Sequence, residues 1–112
     1  MCTQNRAFAI AAEMADYAKE YLGEKLYAVI VYGSYARADF TNESDIDIFI
    51  LIRCSLQELD AYERDFCRMS SRLSLQNDVT VSVTLRDVDT FDRYKAVLPF
   101  YKNVEGEGIR IA

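Results

Sequence analysis

Apolar positions between Asn5 and Leu22 recur with helical period, Phe8, Ala11, Ala12, Ala15, Ala18 and Leu22 on one face, widened by Ile10, Met14, Tyr17 and Tyr21. Gly23 supplies the stop. The pattern then changes. Leu26 to Tyr32 is a continuous β-branched and aromatic run ending at Gly33, the mark of a strand buried on both faces. Ser34 to Ala38 fits one helical turn, Asp39 to Ser44 a polar loop, and Asp45 to Ile52 a second strand. Ser55 with Glu58 three positions on forms a capping-box pattern, and Leu56, Leu59, Tyr62, Phe66, Met69 and Leu73 carry a long helix onward. Val79 to Arg86 alternates as a third strand, with Val79, Val81, Val83 and Leu85 facing one way and Asp78, Thr80, Ser82 and Thr84 the other. Phe91, Tyr94, Val97 and Leu98 predict a helix starting near Asp89 and disturbed at Pro99. The tail turns at Gly106 and Gly108 into a short strand over Ile109 to Ile111.

The predicted order is α-β-turn-β-α-β-α-β, an α/β or α+β layer with helices against a small mixed sheet. With 112 residues, no repeats and no linker, residues 1–112 are expected to form a single domain. At 51% hydrophobic the chain can fill one core without disulfides. Its three cysteines, Cys2, Cys54 and Cys67, lack C-x-x-C spacing and fit reduced thiols of a cytoplasmic protein. No signal peptide opens the chain and no apolar run reaches the length of a membrane span.

Charge narrows the function. Thirteen basic against eighteen acidic residues leave a formal net of -5, which opposes delocalised binding to nucleic acid but leaves room for a small nucleotide at a local site. The absence of histidine removes Ser-His-Asp and Cys-His catalysis and histidine-bearing zinc sites. Any acid–base or metal chemistry therefore falls to carboxylates, hydroxyls, lysine or tyrosine.

Strand alternation sends Asp45 and Asp47 to one face, while Ile46, Ile48 and Ile50 take the other. Two carboxylates so close repel, and the pKa of one rises unless a cation lies between them. Mg²⁺ held by one or two carboxylates and substrate phosphates fits that demand. Upstream, Gly33 ends a strand where Ser34 opens a turn, a junction whose free N–H groups suit an anion. The Ser34 hydroxyl adds a donor, and Arg37 lies one turn on, placed to meet a phosphate oxygen.

The stretch "GSYARADFTNESDIDIFI", with Asp45 eleven positions after Ser34, resembles the signature of the polymerase-β-type nucleotidyltransferase superfamily. "GSYAR…SDIDIFI" is similar, more narrowly, to minimal nucleotidyltransferases, many of them antitoxins encoded beside a HEPN-family ribonuclease toxin. The resemblance implies that Gly33 and Ser34 hold the β- and γ-phosphates of an NTP with help from Arg37. It also implies that Asp45 and Asp47 ligate two Mg²⁺ ions for in-line transfer of AMP, from ATP, to a tyrosine hydroxyl of the toxin. Two positions depart from the family pattern. Ala38 stands where glycine is usual, a strained choice if its φ is positive. The third carboxylate, metal ligand and general base on the next strand, falls either to Asp78 or to a seat occupied by Thr80, which cannot replace it. A degenerate domain that neutralises its partner by covering it is the alternative. Modification of a small molecule of the aminoglycoside type fits less well, for want of a second domain.

Overall fold

A computed structural model describes Cys2–Ala112. Thr3 caps α1 (Gln4–Leu22) by accepting from the Arg6 N–H, and a 3₁₀ turn at Gly23–Lys25 leads into β1 (Leu26–Tyr32). A single helical turn, α2 (Ser34–Arg37), and a loop connect to β2 (Ile46–Ile52). The long helix α3 (Leu56–Asn77) opens on the predicted capping box, with the Ser55 hydroxyl accepting from the Glu58 N–H and the Glu58 carboxylate from the Ser55 N–H. Then follow β3 (Val81–Asp87), α4 (Val88–Tyr94), α5 (Pro99–Glu107) and β4 (Ile109–Arg110).

The sheet order is β3-β2-β1-β4, with β2 and β3 parallel and the other pairs antiparallel. The mixed sheet expected from the sequence is present. Its residues divide by parity. Val29, Val31, Ile46, Ile48, Ile50 and Ile52 are buried together with Ile10, Met14 and Phe66 of α1 and α3. Ala28, Phe49 and Leu51 form a second core with Phe91, Tyr101 and Val104 of α4 and α5. Helices therefore cover both faces, which is why β2 reads as almost uninterrupted apolar sequence. No helix of the described residues is long and apolar enough to cross a membrane.

Two expectations change. Pro99 does not disturb a helix: it occupies the first turn of a separate one, α5, where its missing N–H costs nothing and its fixed φ suits the helix. Asp78 does not start the third strand. It is the C-cap of α3, at φ 51°, with its N–H on the Ser74 carbonyl, and β3 begins at Val81. Ser70 and Ser74 fasten this reversal. The Ser70 hydroxyl donates to the Val81 carbonyl, and the Ser74 hydroxyl accepts from the Val81 N–H at 2.9 Å.

Candidate functional site

Because β1 and β2 are antiparallel and β2 and β3 parallel, the last residue of β1 and the first residues of β2 and β3 meet at one end of the sheet. Tyr32 pairs with Asp47, and Asp47 with Ser82. Laterally paired residues share a face, so Tyr32, Asp47 and Ser82 form a row on the side covered further along by α4 and α5. Asp45 lies two residues before Asp47, just ahead of the strand, and is exposed, whereas Asp47 is half-buried.

Gly33 leaves β1 at φ 76° and ψ -155°, a conformation that L side chains rarely adopt. A β-carbon there would collide with the Asp47 carboxylate oxygen. The chain reversal and the acid thus occupy the same few ångströms, which brings the Gly-Ser junction and the Asp-x-Asp strand together. Ser34 opens α2, whose first N–H groups have no intrahelical acceptor. Tyr35 is buried, stacks on Phe40 at 4.5 Å between centroids, and its carbonyl accepts from Gln4, so α2 is anchored to α1. Ala38 closes the turn at φ 64° and ψ 27°, the left-handed conformation in which a β-carbon is strained.

The electrostatics follow from this placement. Burial raises the Asp47 pKa above the ordinary carboxylate value, the Asp45 charge raises it further, and the Arg37 guanidinium partly offsets both. A cation at the pair would remove the repulsion, and two carboxylates are the kind of hard oxygen donors that would hold a divalent ion such as Mg²⁺. Arg37 is held away from full engagement with them. Its Nε donates to Asp39 at 3.1 Å and its Nη1 to Glu107 at 3.3 Å, and the two carboxylates raise its pKa.

Asp78 does not join this group. It lines a separate polar cavity of about 570 Å³ with Arg6, Asn42, Ser44 and Asn77. Among the described residues no three acidic or cysteine side chains gather closely enough to hold a metal. Thr80 meets β2 through its backbone, its carbonyl accepting from the Ile46 N–H at 2.9 Å. The strand residue beside Asp47 is Ser82. Sequence reasoning had Ser82 on the polar face of the strand but could not weigh it, because alternation fixes a face and only pairing fixes a register. It also missed Tyr32, half-buried next to Asp47 with its hydroxyl 3.4 Å from Thr84 Oγ1. Glu107, the distant partner of Arg37, left no local signal.

Residues 13–112 match the family described as Polymerase beta, Nucleotidyltransferase. Two proteins of Methanocaldococcus jannaschii, each provisionally named a protein adenylyltransferase, are similar over most of their length. One is 33% identical over 94 residues, 80% of this chain and 83% of the relative, and the other 31% over 96 residues, 86% and 88%. Among solved structures, the toxin–antitoxin MntA-HpeT, in a mutant with two aspartates two positions apart changed to glutamate, shares the fold. Its TM-score is 0.55 at 17% identity, over 91% of this chain and 72% of that one. A toxin–antitoxin crystallised with AMP-PNP gives a TM-score of 0.53 at 20% identity, over 89% and 71%.

Proposed function

The chain belongs to the polymerase-β nucleotidyltransferase family, and from that membership we propose that it transfers AMP from ATP to a hydroxyl of a partner protein. The observation that carries this reading is the contact between the Gly33 position and the Asp47 carboxylate, which unites an anion-binding junction with an acidic pair. Gly33, Ser34 and Arg37 receive the β- and γ-phosphates; Asp45 and Asp47 hold Mg²⁺, two ions in the full site. When bound, Mg²⁺ neutralises phosphate charge and favours ionisation of the attacking hydroxyl. The acceptor oxygen bonds to the α-phosphorus as the bond to the β-phosphate breaks, pyrophosphate leaves, and the hydroxyl proton passes to a base. The relatives' names support a protein acceptor, and the toxin–antitoxin neighbours support a toxin as that protein, of the HEPN type by the motif's resemblance. The neighbour with AMP-PNP supports an adenine nucleotide, and the paired aspartates altered in MntA-HpeT have the spacing of Asp45 and Asp47.

A second reading, a partner-binding domain with slow or no transfer, is favoured by one observation: Ser82, rather than a carboxylate, stands beside Asp47. Asp78 remains a candidate base only if substrate binding brings it across from its helix cap. Transfer of labelled AMP to a co-purified HEPN-type partner separates these readings. Under the enzyme reading wild type transfers in Mg²⁺ and Asp47→Asn does not. Ser82→Asp should raise the rate about tenfold or more by restoring an acidic ligand and base. Equal rates in Ser82→Asp and wild type would remove position 82 from the site. No transfer by wild type or Ser82→Asp, with tight partner binding, would establish the second reading.

A further inference from the structure

The connection between α4 and α5 exposes more apolar surface than a solvated loop requires. Tyr94, Leu98 and Phe100 are each about two-fifths exposed and Val97 is 66% exposed, four large apolar residues within seven positions. Phe100 spends one face of its ring on the second core, stacked on Phe49 at 5.8 Å between centroids, whereas Tyr94, Val97 and Leu98 are not among the residues of that core. An apolar cluster of this kind on a soluble domain marks a contact surface.

Charge indicates what the surface fits. Lys95 is shared by Asp92 and Glu105, at 3.6 and 3.5 Å, so it is engaged by both acids and is not free for a partner. Arg93 immediately precedes Tyr94. Lys102 donates its N–H to the Leu98 carbonyl and so stands one turn from Leu98. Among the described residues neither Arg93 nor Lys102 is in an ion pair. In a chain of net charge -5, the apolar cluster is therefore edged by two available cations.

The surface is also continuous with the candidate site. The Phe100 ring lies 5.5 Å from that of Tyr32, edge to face, and Tyr32 is the strand neighbour of Asp47. Tyr32 thus links Phe100, at the end of the apolar connection, to the strand position of Asp47.

We infer that Tyr94, Val97, Leu98 and Phe100, edged by Arg93 and Lys102, form the docking face for the protein acceptor, and that this acceptor presents an apolar segment flanked by carboxylates. The inference rests on the reading of the chain as a transferase acting on protein. It adds where the acceptor sits and what its surface is made of. Docking energy comes from the apolar centre, and the cations choose the partner and its register.

The test uses two fluorescent helical peptides, each with a leucine stripe, one edged by glutamates and the other by lysines. Binding to the full chain is read by anisotropy, Mg²⁺-ATP binding by calorimetry, and self-association by sedimentation. The glutamate-edged peptide should bind about tenfold more tightly than its lysine twin. Val97→Ser with Leu98→Ser should weaken both peptides, and Arg93→Glu with Lys102→Glu should reverse the preference; neither pair should alter ATP affinity. Equal binding of the two peptides, or variants that bind like wild type, overturns the proposal. So does a wild-type dimer that Val97→Ser with Leu98→Ser dissociates, since it assigns the surface to a second copy. Failure of wild type to bind Mg²⁺-ATP while the peptides follow the expected pattern strikes the transferase reading alone and leaves the docking face standing.

Discussion

A β-carbon on Gly33 would have to take the volume held by the Asp47 carboxylate, so a methyl there displaces the acid as well as straining a backbone at φ 76°. Gly33→Ala should cost about 2 kcal/mol or more of stability in urea denaturation and abolish ATP binding. A variant with unchanged stability and affinity would show that Gly33 and Asp47 do not share this space. Asp47 itself is a source of instability in the free chain. Its folded pKa is raised, by burial first and the Asp45 charge second, so the folded state holds the proton more tightly than the unfolded state. The cost of ionisation is therefore present at pH values above the folded pKa and disappears as pH falls through it. Asp47→Asn should have a higher Tm than wild type at neutral pH, with the gap closing in acid, even though it loses Mg²⁺-dependent nucleotide binding. A lower Tm at neutral pH would mean that the carboxylate supports the fold rather than burdening it.

At the scale of elements, the parts that could be read from sequence are those whose causes are local. The Ser55–Glu58 capping box announces the start of α3, and the apolar period of α1 and the uninterrupted run of β1 place those elements within a residue or so. Failures occur where two causes share one pattern. Asp78, Val79 and Thr80 continue the alternation of β3, yet the chain is still turning there, and only the left-handed conformation at Asp78 reveals it. Phe91, Tyr94, Val97 and Leu98 step like one helix because α4 and the turn after it abut. In fact Val97 and Leu98 return their N–H groups to the Tyr94 carbonyl, and Pro99 starts anew. The candidate site divides in the same way: Gly33, Ser34, Arg37, Asp45 and Asp47 belong to contiguous signals, whereas the nearness of Ser82 and Glu107 to them depends on pairing and tertiary approach. The placement of Pro99 makes a prediction that a broken helix would not. At the first helical position Pro99→Ala should lose about 0.4–1 kcal/mol, through greater freedom of the unfolded chain. An interior proline replaced by alanine would instead gain about 3 kcal/mol. Chemical denaturation gives the sign, and a stabilised variant would refute the boundary between α4 and α5.

For the molecule as a whole, a net charge of -5 opposes any polyphosphate, so under the proposed function nucleotide affinity would come from a few local donors and a cation. Among the described residues Arg37 is the basic side chain that lowers the Asp47 pKa, and two carboxylates compete for it. One of them, Asp39, is a near neighbour in sequence; the other, Glu107, reaches across from the end of α5. If Arg37 receives a phosphate oxygen, ATP must draw it from these partners, and the link between α5 and α2 loosens as the nucleotide binds. Glu107→Gln removes one competitor without touching the acidic pair. Because the ion pair is exposed, the gain should be modest: roughly two- to fivefold tighter Mg²⁺-ATP binding, fading as salt screens the competition. Hydrogen exchange should report the same event in wild type, with ATP slowing exchange in α2 and speeding it near Glu107 and Gly108. Weaker ATP binding by Glu107→Gln would show that the carboxylate positions Arg37 for the phosphate instead of withholding it, and slower exchange at the end of α5 would agree. The two measurements together decide whether Glu107 restrains the site or completes it.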